Sequence, residues 1–84
     1  MYKYLVTALR TPEFQQSVIP EHNEFLDQLR QLGKLELSGP FTDKSGGAYV
    51  IRAIDLADAR AVAFSDPLHT THSSTLTVYE WQAK

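Results

Sequence analysis

Two residues far apart in the sequence, His22 and Asp66, have side chains suited to moving a proton near neutral pH. A carboxylate beside an imidazole fixes the tautomer of the ring and stabilises its charged form. His22 falls within the apolar stripe of a predicted helix, which is formed by Phe25, Leu26, Leu29 and Leu32. A lone histidine on such a stripe is more often a core residue, and an aspartate before proline is more often a turn residue. A functional role therefore requires that the fold bring the two residues together.

Other residues have the chemistry of a binding pocket. Ser38 can donate a hydrogen bond to a substrate oxygen, and Gly39 and the Gly46-Gly47 pair let backbone approach a ligand closely. His69 and His72 have the spacing of metal ligands, but no third ligand follows them closely. We predict substrate-binding roles for Ser38, Gly39, Pro40, His69 and His72. We predict no metal site, with a metal-dependent variant that uses the two loop histidines as an alternative.

Hydrophobic periodicity and turn residues divide the chain into six elements in the order βαββαβ. The predicted strands are residues 2–9, 34–41, 48–54 and 75–81, the predicted helices are 20–32 and 56–65, and 67–74 is a polar loop. This order predicts an α+β, ferredoxin-like domain over residues 1–84. Its four-stranded antiparallel sheet carries both helices on one face.

The topology predicts where the candidate residues meet. The first helix follows an ascending strand and begins at the top of the sheet, whereas the second follows a descending strand and ends at the top. His22 and Asp66 should therefore share one end of the molecule. The Ser38–Pro40 segment, the glycine pair and the histidine loop reach the same end, so four segments converge as they do in pockets.

The predicted strands carry apolar residues on both faces of the sheet, while the two helices can cover only one. On the first strand, Tyr4 and Val6 face one side and Leu5 and Leu9 face the other. A sheet with two apolar faces and one helical layer indicates a partner on the open face. We predict a homodimer packed sheet to sheet around a two-fold axis.

Composition narrows the class of protein. Eight Lys and Arg against ten Asp and Glu give a net charge of −2 with no basic cluster, so we expect no nucleic-acid partner. The absence of cysteine excludes disulfides and thiol catalysis. No apolar run reaches the length of a membrane span, and the N-terminus lacks the apolar region of a signal peptide. We therefore expect a cytoplasmic protein with a small-molecule substrate and no membrane association.

Several short motifs together resemble the YCII-related (YciI-like) family. His22 with the leucines of its helix is followed by Leu32-Gly33-Lys34-Leu35 and then by Ser38-Gly39-Pro40-Phe41. Further along come Gly46-Gly47, Ala59-Arg60-Ala61, Asp66-Pro67 and the closing Val78-Tyr79-Glu80-Trp81. The order and spacing of these motifs carry the resemblance over nearly the whole chain.

The resemblance implies a ferredoxin-like fold that dimerises as a dimeric α/β barrel, with a paired His and Asp as the proposed active site. The matching positions are His22 and Asp66, and Ser38–Pro40 matches the pocket wall. Some members are similar to muconolactone isomerases, and some are associated with dehydrochlorination of chlorinated hydroxyhydroquinones. We therefore expect a cofactor-independent lyase or isomerase of proton-transfer chemistry. The alternatives are a non-catalytic dimeric module that binds a small ligand and a purely structural dimer.

Overall fold

The computed structural model describes residues 2–84; Met1, the first residue of the predicted domain, lies outside them. The elements follow in the order β1 (Tyr2–Arg10), α1 (Val18–Gln31), β2 (Leu35–Pro40), β3 (Gly46–Ala53), α2 (Leu56–Ala63), α3 (Pro67–Thr70) and β4 (Ser74–Trp81). The four strands form one antiparallel sheet in the order β2-β3-β1-β4. The predicted ferredoxin-like arrangement is confirmed.

The helices and one face of the sheet enclose the hydrophobic core. Alternation along β1 directs Tyr4, Val6 and Ala8 towards the helices, and β3 contributes Tyr49 and Ile51 to the same face. The helices add a short set of buried side chains, namely Leu26 and Leu29 from α1 and Ala59 and Ala63 from α2. The small alanines let α2 lie close to the sheet.

The structure moves one end of each of α1, α2 and β3 by two residues from its predicted position, and it places a short helix in the predicted loop. Helix α1 begins at Val18, two residues before the predicted start at Pro20. Proline is accommodated there because the backbone N–H groups of a first helical turn have no intrahelical acceptor. The polar loop predicted over residues 67–74 contains the short helix α3, which begins at Pro67 and is capped by Asp66. Proline at a first helical position is favourable because its φ is already helical.

The other face of the sheet has no helix over it in the described chain. One row of side chains, Leu37–Val50–Leu5–Tyr79, crosses all four strands through paired positions. The next row outward carries Lys3 beside Arg52 and Trp81. A β-bulge between Leu35 and Leu37 turns Glu36 to this face, where it pairs with Lys3 and Arg52. We refer to this surface as the open face.

Across residues 2–84, none of the helices has the length and apolar character needed to cross a membrane.

Candidate active site

His22 and Asp66 are in direct contact, as the topology predicted. The Nδ1 atom of His22 lies 2.9 Å from Oδ1 and 3.0 Å from Oδ2 of Asp66. The Asp66 side chain is completely buried, whereas 15% of the His22 side chain is exposed. The pair therefore has one member sealed in the protein and one that reaches solvent.

Asp66 is held by the local structure at the start of α3. Its backbone is extended because Pro67 follows, and its Oδ1 accepts a hydrogen bond from the backbone N–H of Leu68 at 2.9 Å. The same carboxylate that caps α3 thus also binds His22. Asp66 is therefore a turn residue and the partner of His22 at the same time, because the cap holds its carboxylate within hydrogen-bond distance of the imidazole.

Tyr49 is a third member of the cluster. Its hydroxyl donates to Oδ2 of Asp66 at 2.9 Å, and only 2% of the residue is exposed. Burial, together with the adjacent Asp66 carboxylate, raises the pKa of Tyr49 far above its ordinary value, so the phenol stays protonated and remains a donor. The Tyr49 ring also lies 6.0 Å from the imidazole of His22, centroid to centroid.

The three hydrogen bonds to Asp66 determine the tautomer of the His22 imidazole. An ionised carboxylate only accepts hydrogen bonds, and Asp66 accepts from the Leu68 amide, the Tyr49 hydroxyl and Nδ1 of His22. Nδ1 therefore carries the hydrogen, and in the neutral ring Nε2 has the free lone pair. This tautomer suits a general base whose proton acceptor is Nε2.

A cavity of about 480 Å³ adjoins the pair. Its lining includes His22 and Tyr49, and all three residues of the Ser38–Pro40 segment. Arg10 and Phe14 also line it. This volume is in the range of small-molecule sites.

The glycine pair lines the cavity too, but its close contacts are with the protein's own backbone. A Cβ at Gly46 would overlap the carbonyl oxygen of Ala8, and one at Gly47 would lie 2.7 Å from the carbonyl oxygen of Gly39. Glycine is needed there because adjacent strands come close together. The sequence suggested that this pair lets backbone approach a ligand. The structure gives a further reason for glycine at these two positions, which is the close packing of adjacent strands.

The two loop histidines lie away from this cavity. The His69 ring packs against Phe64 with centroids 4.6 Å apart, and His72 lies in a turn beside Thr11, Pro12 and Glu13. Neither lines the cavity with His22; on α3 it is Leu68, the neighbour of His69, that lines it. No group of three or more potential ligands (His, Cys, Asp or Glu) able to hold a metal occurs within residues 2–84.

The sequence model of the YCII-related domain matches residues 2–82. The uncharacterized protein YjpA of Bacillus subtilis (strain 168) is 45% identical over 84 residues, which cover 100% of this chain and 99% of YjpA. The chain belongs to the YCII-related family.

Solved structures show the same fold. The 5-chloro-2-hydroxyhydroquinone dehydrochlorinase TftG of Burkholderia phenoliruptrix AC1100, in complex with 2,5-dihydroxybenzoquinone, has a TM-score of 0.77 at 16% identity, covering 98% of this chain and 95% of TftG. Muconolactone isomerase has a TM-score of 0.74 at 10% identity, covering 98% of this chain and 90% of the isomerase. At these identities the likeness concerns the fold.

Two cavity residues of this YCII-related chain were not identified from its sequence as site residues. Tyr49 occupies the register position opposite Ser38 on the helix-covered face. Arg10 continues the alternation of Tyr4, Val6 and Ala8 on that same face and lines the cavity. In both cases strand alternation was the available signal.

Proposed function

We propose that this protein is a small cofactor-independent enzyme of proton-transfer chemistry, a lyase of the dehydrochlorinase type or an isomerase. Its substrate would be a small hydroxylated aromatic compound, chlorinated in the lyase case, or a lactone. The observation that supports this most strongly is the contact of Nδ1 of His22 with both carboxylate oxygens of Asp66 beside a cavity. The dehydrochlorinase activity of TftG and the isomerase activity of muconolactone isomerase suggest the two reaction types.

In this proposal His22 is the general base. Nε2 removes a proton from an acidic C–H or O–H of the substrate, and the resulting imidazolium is stabilised by Asp66. Tyr49 and the Leu68 amide stay bonded to Asp66, so the carboxylate need not move as the charge on the ring changes. Ser38, which also lines the cavity, is placed to donate a hydrogen bond to a substrate oxygen.

Both reaction types balance without a cofactor. In dehydrochlorination of a chlorinated hydroxyhydroquinone, a hydroxyl proton first moves to the ring carbon that carries chlorine. Loss of a second hydroxyl proton to His22 then forms a C=O bond and shifts the ring double bond as chloride leaves, so that HCl is lost overall. In isomerisation, the proton taken from one carbon is returned to another, and the double bond shifts. Neither reaction changes the overall oxidation state, so neither needs an external oxidant or reductant.

The test offers the purified protein two compounds. Turnover of 5-chloro-2-hydroxyhydroquinone is measured as chloride release, and turnover of muconolactone is measured as isomerisation. We expect one of them to be turned over and His22→Gln to reduce kcat/KM roughly 10²- to 10⁴-fold, the usual contribution of a general base. Asp66→Asn should also reduce it, because an amide can donate to Nδ1 and so favour the wrong tautomer.

His69→Gln is the matched control, since it replaces a histidine outside the cavity by the same residue. Nitrogen NMR of the imidazole rings should show His22 with the hydrogen on Nδ1, and Asp66→Asn should remove that preference. Equal activity of wild type and His22→Gln would contradict the proposal. Ligand binding without turnover of either compound would favour the non-catalytic binding module instead.

We also propose that the protein is a homodimer joined through the open face. Leu37 on this face is 65% exposed, and Tyr79 and Trp81 are exposed beside it. Val50 is buried although it lies outside the helix-side core, so the open face already has an apolar centre within one chain. A second copy related by a two-fold axis would cover these side chains.

A further inference from the structure

The cavity beside His22 carries an uncompensated positive charge. Within the described chain, Arg10 is the only lysine or arginine in its lining, and no aspartate or glutamate lines it. Asp66 lies behind His22 and Tyr49 at zero exposure, and its oxygens are already taken by three donors. A ligand entering the cavity would therefore meet a cation without a competing free carboxylate.

Phe14 holds the Arg10 side chain in place. The guanidinium carbon of Arg10 lies 4.1 Å from the centroid of the Phe14 ring, a cation–π contact that covers one face of the group. Stacking leaves the N–H donors at the edge of the guanidinium free to bind an anion. Phe14 itself packs against the hydrophobic core, so this arrangement rests on the folded body of the protein.

The segment that carries Phe14 is anchored by hydrogen bonds. The Thr11 amide donates to the carbonyl of Ser73 at 3.0 Å, and its hydroxyl donates to the carbonyl of His72 at 2.7 Å. The Phe14 amide donates back to the carbonyl of Thr11 at 3.0 Å. These bonds tie the chain after β1 to the turn before β4.

No side chain of the described residues neutralises Arg10. It makes no ion pair within residues 2–84, whereas Arg52 is paired with Glu36 and Arg30 with Asp27. The backbone N–H of Arg10 donates to the carbonyl of Ser45, and the carboxylate of Asp43 is bonded to the amide and hydroxyl of that same Ser45. The guanidinium is thus available to a ligand.

We propose that Arg10 binds the carboxylate of an anionic small-molecule substrate at the edge of the cavity. The planar fork of a guanidinium matches the two oxygens of a carboxylate, while the apolar part of the ligand lies on the remaining lining. This inference rests on the proposed function, from which it takes that the ligand is a substrate. It favours a lactone that bears a carboxylate, such as muconolactone, over a neutral chlorinated hydroquinone.

The test is calorimetric titration with two probes that differ only in a carboxylate, 2,5-dihydroxybenzoate and hydroquinone. We expect wild-type protein to bind the anion roughly tenfold more tightly than the neutral compound, the usual worth of a charge-assisted hydrogen bond. Arg10→Met should abolish this preference, and Arg10→Lys should retain part of it, because an ammonium keeps the charge but lacks the fork. Added salt should weaken the preference as well.

Arg60→Met is the matched control, since Arg60 is an exposed arginine on α2 that lines no part of the cavity. It should leave both affinities unchanged. The inference is overturned if the anion binds no more tightly than hydroquinone, including no binding of either. It is equally overturned if Arg10→Met keeps the preference while circular dichroism shows a folded protein, or if Arg60→Met weakens anion binding as much.

His22→Gln separates this inference from the proposed function. The preference for the anion should survive in His22→Gln, because Arg10 and Phe14 are unchanged. If the preference for the anion is preserved but no compound is turned over, the proposed enzymatic activity is refuted and the anion site is still supported. Turnover of 5-chloro-2-hydroxyhydroquinone with no preference for the anionic probe would do the reverse.

Discussion

The two faces of the sheet use the same strands for different purposes. On the helix-covered face, the most deeply buried polar group is fully bonded: Asp66 has three donors, and no buried side-chain nitrogen or oxygen within residues 2–84 lacks a partner. On the open face, Glu36 pairs with Lys3 and Arg52 near the surface, and large apolar side chains are exposed around them.

Because successive residues of a strand point to opposite faces, one face of the sheet can carry the candidate active site while the other carries the proposed dimer contact. A buried carboxylate is tolerated only when its hydrogen bonds are satisfied, and the resulting rigidity is what a proton-transferring pair needs. An exposed apolar face has no such requirement and instead gains free energy when it is covered. Tyr49 and Val50 are adjacent in the chain, yet one bonds to Asp66 and the other lies under the open face.

The largest effect should come from Asp66→Ala. Removing the carboxylate leaves the buried Tyr49 hydroxyl and the Leu68 amide without an acceptor, so we expect the free energy of unfolding to fall by about 3 kcal/mol. Chemical denaturation at one fixed protein concentration measures it. Asp27→Ala, an exposed carboxylate paired with Arg30, is the control and should change stability by less than about 1 kcal/mol. Similar losses in both variants would remove the distinction between the two environments.

The next effect concerns the open face. Leu37→Lys would place one lysine from each of the two copies in the proposed dimer interface. We expect the dissociation constant of the dimer to rise at least roughly thirtyfold, which corresponds to about 2 kcal/mol. Sedimentation velocity measures the change. Leu32→Lys is a closely matched control, since Leu32 is 67% exposed at the end of α1 and Leu37 is 65% exposed. A monomeric wild type, or a dimer that tolerates Leu37→Lys, would show that the open face is not the interface.

A smaller effect is expected from Tyr49→Phe. Loss of one hydrogen bond to Asp66 should lower the free energy of unfolding by about 1.5 kcal/mol near neutral pH. Because folding raises the pKa of Tyr49, its contribution is complete below the ordinary tyrosine pKa of about 10 and is lost as the pH rises above it, when the unfolded chain ionises first.

Unfolding followed from neutral to alkaline pH therefore tests the same residue in a second way. The stability of the wild type should fall more steeply above pH 10 than that of Tyr49→Phe. Tyr2→Phe, at an exposed tyrosine, should behave like wild type at neutral pH. An unchanged alkaline slope in Tyr49→Phe would mean that the phenol is not held by Asp66 in solution.

The smallest effect should come from Glu36→Gln on the open face. The hydrogen bond from Arg52, followed by the interaction with Lys3, lowers the pKa of Glu36. Its contribution to stability is therefore present above the ordinary glutamate pKa and disappears as the pH falls through the lowered value. We expect Glu36→Gln to flatten the acid side of the stability profile slightly, by less than Tyr49→Phe changes neutral stability. A larger loss would indicate that these ion pairs are buried in an interface.

Much of the fold was predictable because its signals are local. Alternation marked β1 and β3. In the structure Asp55 caps α2 by accepting from the Asp58 amide, and Gly33 follows the end of α1 with a positive φ, both of which are local features of helix ends. The approach of His22 to Asp66 followed from the directions of two helices in a known topology. Helix α3 was missed because four residues give no periodicity and the Asp-Pro step also signals a turn.

The sequence by itself determined the order of elements, the faces of the strands and the end of the sheet at which His22 and Asp66 meet. Only the tertiary structure decided which side chains complete the cluster. Tyr49 bonds to Asp66 across 17 residues of chain, and Arg10 stacks on Phe14 in the irregular segment that follows β1, where no periodic pattern applies. The physical reason is that periodicity specifies which face a residue occupies, whereas a hydrogen bond or a stacked ring depends on ångström-scale distances set by packing between elements.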